Sequence, residues 1–299
     1  MGEILPPMPL DDWRDTKNTV HLYCQIIGKI RMALHPKLNH WWHVSLYVTP
    51  RGLSTGTIPF GKSNYRIELD FVRHRLAIAT GDGREEDFAI YDGLSVADCY
   101  SSLIANLAKL GLRPVINSIP YESPSKIPFA ENTENCSYDF AFVRRFHETL
   151  VFADGVLTKF RGRFIGKSTP VHLFWHSFDL ALTHFSGRRA PKMENVNRVK
   201  REAYSHELIS FGFWFGDDKV PAPAFYSYTE PEPRQLTQEP FEPTMAKWIV
   251  YGSGLLALLM YDDVRQLADA EGSILNFLES AYRAGSKCAG WNSSELELE

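Results

Sequence analysis

The stretch Trp42-His43-Val44-Ser45-Leu46-Tyr47-Val48-Thr49 (residues 42–49) is rich in rings and β-branched side chains and ends at Pro50 and Gly52. That composition, closed by Pro and Gly, predicts a strand. A second ring-rich stretch, residues 171–183, again carries a Trp-His pair, at Trp175-His176. A helical pattern precedes each one. Val20, Tyr23, Ile27, Ile30 and Leu34 step by three and four, as do Val143, Phe146, Leu150, Ala153, Leu157, Phe160 and Phe164. Steps of that size put the apolar side chains on one face of a helix.

Further strands follow each Trp-His stretch. In the first half, residues 65–72 place Ile67, Leu69 and Phe71 on one face and Arg66, Glu68 and Asp70 on the other. Residues 75–80 and 88–91 continue the pattern. Ser95 then caps a helix to Leu110, with Asp98 at the capping-box position and Gly111 at its end. In the second half, residues 205–214, 224–228, 248–251 and 255–260 read as strands, with Ser253-Gly254 as a hairpin turn. Residues 274–284 read as the closing helix. The expectation is an α+β fold of two pseudo-repeated halves, an internal duplication of antiparallel strands flanked by helices. Residues 1–16 form an N-terminal arm, 17–117 the first half, 118–138 a surface connection and 139–292 the second half, joined as one compact unit. The Leu-Glu repeat at the end, residues 296–299, reads as an appended tail and is set aside.

The bulk numbers narrow the function class. The chain has 299 residues, 44% of them hydrophobic and 23% charged, which suffices for a packed core. The net charge of −4 argues against general nucleic-acid binding. Residues 1–10 lack the apolar segment of a signal peptide, and no apolar run is long enough to cross a bilayer. Cys24, Cys99, Cys136 and Cys288 form no C-x-x-C pair, so reduced thiols in a cytoplasmic protein are expected. No phosphate-binding Gly-rich loop, G-x-S-x-G elbow or H-E-x-x-H motif is present.

Several stretches resemble an uncharacterised bacterial family, domain of unknown function 5996. They are Asn39-His40-Trp41-Trp42-His43, Arg163-Phe164-Ile165-Gly166-Lys167, Pro170-Val171-His172, Ser177-Phe178-Asp179-Leu180-Ala181, Phe185-Ser186-Gly187-Arg188 and Arg201-Glu202-Ala203-Tyr204-Ser205-His206-Glu207. The resemblance covers nearly the whole chain. It implies no activity. His176 departs from the family pattern, in which a small residue is more usual.

Candidate chemistry rests on histidines. His40 and His43 stand in an H-x-x-H, which a regular strand would point to opposite faces, so co-ligation needs irregular backbone at Asn39 or His40. His172 and His176, four apart on one strand, would stand roughly 13 Å from each other and could not share a site. One histidine from each of three strands, His43, His172 and His206, could meet around one point as proton carriers or as three nitrogen ligands of a zinc or iron ion. Asp179, in an apolar strand, is either a general acid or base or the partner of Arg188 or Arg163. Arg188 is the expected anchor for an anionic group, drawn from a basic run that includes Arg161, Arg163, Lys167 and Arg189. Trp42, Trp175 and Trp214 would line the pocket between the halves. The function so read is a small-molecule enzyme acting on an anionic apolar or aromatic substrate, with a non-catalytic small-molecule binding protein as the runner-up.

Overall fold

The computed structural model describes residues 5–298. Residues 1–4 of the expected arm and Glu299 of the tail lie outside them. The first helix, α1 (Leu10–Leu34), starts well before the periodic stripe that announced it. Leu10 and Trp13 are buried in the core, so the chain coils early to bring them there, and the arm ends at Pro9 rather than at residue 16. Asp11 and Asp12 in the first turn suit the positive end of the helix.

Six short antiparallel strands follow: β1 (Tyr47–Thr49), β2 (Gly52–Ser54), β3 (Ile58–Phe60), β4 (Ser63–Asp70), β5 (Arg75–Thr80) and β6 (Glu85–Ala89). Their order is β1-β2-β4-β5-β6, with β3 on the side of β4. The expected hairpin of β4 and β5 is present, paired from Tyr65↔Thr80 to Asp70↔Arg75. Helix α2 (Val96–Lys109) closes this half, and the Ser95 hydroxyl accepts from the Asp98 N–H as its cap.

The second half starts with α3 (Phe140–Arg161), whose cap Asp139 accepts from two backbone N–H groups. Its sheet runs β7 (His172–Phe174), β8 (Asp179–Arg189), β9 (His206–Trp214), β10 (Ala224–Glu230), β12 (Gly254–Met260) and β11 (Lys247–Tyr251), again antiparallel throughout. A short helix α4 (Arg198–Ala203) lies between β8 and β9, and α5 (Tyr261–Val264) and α6 (Ala270–Cys288) complete the chain. The two sheets meet edge to edge. Leu46 and Leu173 exchange both backbone hydrogen bonds at 2.8 Å, one antiparallel bridge between the strand edges. Beneath them a single hydrophobic cluster extends from Met8 to Trp291 and draws on both halves.

Three expectations need correction. Residues 42–49 are not one strand: Asn39–Val44 form a kinked 3-10 turn, and only Tyr47–Thr49, with Leu46 in its single bridge to Leu173, pair. Residues 171–183 are not one strand either. The chain turns at Trp175–Phe178, with Phe178 at φ 58°, so His172 lies on β7 and His176 in the turn. The final residues are not a loose tail, because Leu298 N–H donates to Arg163 O (3.0 Å) and Ile165 N–H to Leu296 O (2.8 Å).

Polar groups on α1 hold the connection that follows α2. Gln25 bonds both the N–H and the carbonyl of Tyr121, at 2.9 and 2.7 Å. Lys29 donates to the carbonyls of Asn117 (3.0 Å) and Ile119. His21 meets the Trp175 carbonyl at 2.8 Å. Backbone that lacks sheet partners is thus paired by side chains one helical turn apart.

Candidate functional site

The kinked turn at Asn39–Val44 carries consecutive left-handed residues, His40 (φ 53°, ψ 18°) and Trp41 (φ 63°, ψ 25°). Neither is glycine, and such backbone persists only where surrounding structure enforces it. The kink sends the rings apart. Trp41 packs on His43 with centroids 5.2 Å apart, whereas His40 packs on Trp42 (5.3 Å) and on Phe185 of β8 (4.7 Å).

His40 is buried, and both ring nitrogens are engaged. Nε2 lies 2.6 Å from Lys167 Nζ, and Nδ1 lies 3.0 Å from the Ala203 carbonyl. An ammonium can only donate, so Nε2 accepts and Nδ1 carries the proton. Lys167 is fixed from behind: its carbonyl accepts from Phe185 N–H at 3.0 Å, alongside β8 beyond the end of β7. Nζ therefore stands over the rings of Phe185 (4.9 Å) and Trp42 (5.5 Å). His206, the first residue of β9, sets its ring edge-on to His40 at 5.4 Å.

The charges that chiefly shift the two histidines of this corner, among the described residues, are positive. Burial pushes His40 below its ordinary pKa, and Lys167 and His206 push it further. His206 is lowered by burial, then by Lys167 and Arg189. Burial lowers Lys167 as well. The neighbouring carboxylates are committed elsewhere: Glu202 to Lys37 and Arg198, both at 2.7 Å, and Glu207 to Arg188, also at 2.7 Å.

The chain over residues 5–298 matches the model of a family described as a family of unknown function (DUF5996). The chain belongs to this family. No curated protein and no solved structure matches it. In this DUF5996 chain, four of the stretches that carry the resemblance converge on the corner just described. Residues 39–43 bring His40 and Trp42, residues 163–167 bring Lys167, residues 185–188 bring Phe185, and residues 201–207 bring the Ala203 carbonyl and His206.

The expected three-histidine centre does not assemble. Among the described residues, no three His, Cys, Asp or Glu side chains stand close enough to hold a metal ion. His206 meets His40, not His43. His43 turns the other way in the kink, and its Nδ1 accepts from Leu38 N–H at 3.3 Å. His172 is fully buried at the seam between the sheets beside Tyr47 and Phe174, with neither ring nitrogen partnered. The cause is the backbone of residues 39–44, a kinked turn in which the alternation of a strand does not set the direction of His43.

Nor do the tryptophans line one pocket. Trp42 belongs to the Lys167 corner. Trp175 lies against Gly28 of α1, so closely that a Cβ there would collide with the indole. Trp214 lies on the outer face of the second sheet with Tyr226 and Tyr251. Arg188 is not available as an anion anchor: it binds Glu207, Gly290 O (3.0 Å) and Ala289 O (2.7 Å). Asp179 has no arginine partner. It accepts from the hydroxyls of Ser177 and Tyr226, and burial raises its pKa against those two bonds. It shares the outer face of the second sheet with Phe185, six residues along β8, and Tyr204 and Tyr228 join hydroxyls nearby at 3.0 Å. Sequence reading names His40 in the H-x-x-H and Lys167 in the basic run, but puts neither in the expected centre. Lys167 looked like one member of a basic run, and only its pairing across 127 positions sets it apart.

Proposed function

We propose that this protein is a small-molecule enzyme acting on a substrate with an anionic group and an apolar or aromatic body, bound at Lys167, His40 and His206. The observation that carries this is the 2.6 Å contact of Lys167 Nζ with His40 Nε2 in a corner without a free carboxylate. A lysine ammonium walled by rings, with no acid of its own among the described residues, favours an incoming anion. Trp42, partly exposed and backed by the buried Phe185, supplies the apolar surface for the rest of the ligand.

The same contact gives a sequence of events. With the site empty, Lys167 occupies His40 Nε2. An anion that draws the ammonium toward itself frees Nε2, which then accepts a proton while Nδ1–H stays on Ala203 O. His206, partly exposed next to His40, passes that proton to solvent or back to the substrate. Burial keeps both rings neutral near pH 7, the state a general base requires.

Calorimetric titration with phenyl phosphate and benzoate, against benzyl alcohol as the uncharged control, tests the reading. Saturable binding of an anion, weakened at least tenfold by Lys167→Met and absent for benzyl alcohol, is the expected result. Equal binding by the wild type and Lys167→Met would remove this corner as the ligand site. The runner-up, a binding protein without turnover, is favoured if His40→Gln and His206→Gln leave the affinity unchanged and the bound compounds are recovered intact.

A further inference from the structure

The edge of a sheet is a template for pairing with another chain, and proteins close such edges with charge, proline, short length or cover. In the first sheet, β6 carries Glu85, Glu86 and Asp87, and β3 is three residues long with Pro59 at its centre. The edges of β1 and β7 face each other at the Leu46↔Leu173 bridge. The edge of the second sheet at β11 has none of these devices along its length. It reads Lys-Trp-Ile-Val-Tyr and has a neighbouring strand on one side only. Its one charge stands at its first residue, and Val250 is 79% exposed.

Strands β11 and β12 form a hairpin through Gly252 and Ser253, with Tyr251 paired to Gly254. Gly252 at φ 62° suits the tight turn. The closing pair of such a hairpin exchanges both backbone bonds, and bonded pairs then alternate along the ladder. Tyr251, Ile249 and Lys247 therefore direct their N–H and C=O groups to β12. Those of Trp248 and Val250 point away from it, and among the described residues these four groups have no other backbone partner.

The four groups lie symmetrically about Ile249. We infer that β11 pairs antiparallel with β11 of a second copy of this chain, about a twofold axis at Ile249, so that two six-stranded sheets become one. Trp248 of each copy then lies opposite Val250 of the other, and each such pair exchanges two backbone bonds. Every other antiparallel register of the two strands leaves part of β11 without a counterpart. Directly opposite residues share a face of the sheet. The exposed Val250 is thus covered by the Trp248 indole of the other copy, which Phe241 supports from its own side at 4.7 Å. On the opposite face Ile249 meets Ile249. Lys247 meets Tyr251, whose hydroxyl donates to the Asp217 carboxylate, and the two lysines stand about 13 Å apart along the strands. That face also carries an apolar patch of Trp214, Ile249, Leu256 and Leu258, which the axis makes continuous between the copies. The same five residues supply both halves of the contact, which is why the partner is a second copy.

Sedimentation equilibrium of the full chain is expected to give twice the mass of one chain, falling toward that of one chain on dilution. At the axis the two Ile249 Cα atoms lie about 4.5 Å apart, within reach of a disulfide. Ile249→Cys is expected to cross-link two copies under mild oxidation about tenfold faster than Lys247→Cys, with the wild type as background. Val250→Pro, which removes an N–H that the single chain does not use, is expected to weaken association about tenfold. A chain that stays monomeric up to its solubility limit overturns the inference. So does a dimer in which Lys247→Cys cross-links as fast as Ile249→Cys, or one that Val250→Pro leaves unweakened, since its interface lies elsewhere. If a variant does not fold, hydrogen exchange of the wild type decides. The Trp248 and Val250 amides are expected to exchange slowly in concentrated solution and fast on dilution, and fast exchange in both overturns the pairing.

Discussion

In the proposed function Lys167 bears the largest weight of any single residue, and it is exposed. Removing its hydrogen bond to the buried His40 costs about 0.5–1.5 kcal/mol. Lys167→Met is therefore expected to lower the melting temperature only slightly while losing anion binding. A large drop in melting temperature would mean that Lys167 holds the fold together. A different set of histidines governs acid stability. Burial drives His21 down to about 4 and His172 and His184 to about 3, from an ordinary 6.5. The unfolded chain takes up these protons first as pH falls. The stability contributed by keeping the rings neutral is complete above about 6.5 and is lost on the way down to the folded values. Between those limits each ring adds a slope of about 1.4 kcal/mol per pH unit, and three give about 4. Urea unfolding at a series of pH values below 6.5 should show that fall, and His184→Leu should flatten it by about a third. A profile level from about 6.5 to 4.5 would contradict the burial of these rings.

At the scale of elements, α1 is the part whose fit is tightest. Gly28 has no Cβ because the Trp175 indole occupies its place. Gly28→Ala should thus cost about 1–3 kcal/mol by overpacking, despite alanine's better helix propensity. An unchanged or raised stability in denaturant titration would show that the turn at Trp175–Phe178 yields freely. The helices were the most legible elements in the sequence, since steps of three and four survive any detail of tertiary packing. The Ser95 cap and the alternation in β4 were legible for the same reason: both are local. The 42–49 and 171–183 stretches misled because rings and β-branched residues also suit a kinked turn and a tight hairpin. What distinguishes them, the left-handed His40, Trp41 and Phe178, has no glycine to announce it. The same holds for the site. His40 was visible in its H-x-x-H, and irregular backbone was named as the condition for using it, but its partners Lys167 and Ala203 are long-range. The buried polar groups Gln25 and Lys29 on α1 do not stand out in the sequence, because the connection they hold lies nearly ninety positions or more away.

Over the whole molecule, one hydrophobic cluster beneath two six-stranded sheets ties the halves together. The Leu46–Leu173 bridge joins their edges. Unfolding is therefore expected to be a single cooperative transition, with calorimetric and van't Hoff enthalpies equal. Two resolved transitions would mean that the halves stand alone. Among the described residues, no helix is long and apolar enough to cross a membrane. On the frame these sheets provide, stretches distant in sequence deliver a lysine and two histidines to one ring-walled corner. Whether that corner receives anions is decided most directly by the ring nitrogens of His40, read by nitrogen-15 resonance near neutral pH. The expected spectrum has His40 neutral with its proton on Nδ1, and saturating phenyl phosphate shifts Nε2 as Lys167 leaves it. A proton on Nε2, or a His40 pattern unchanged by phenyl phosphate, would contradict the proposed site.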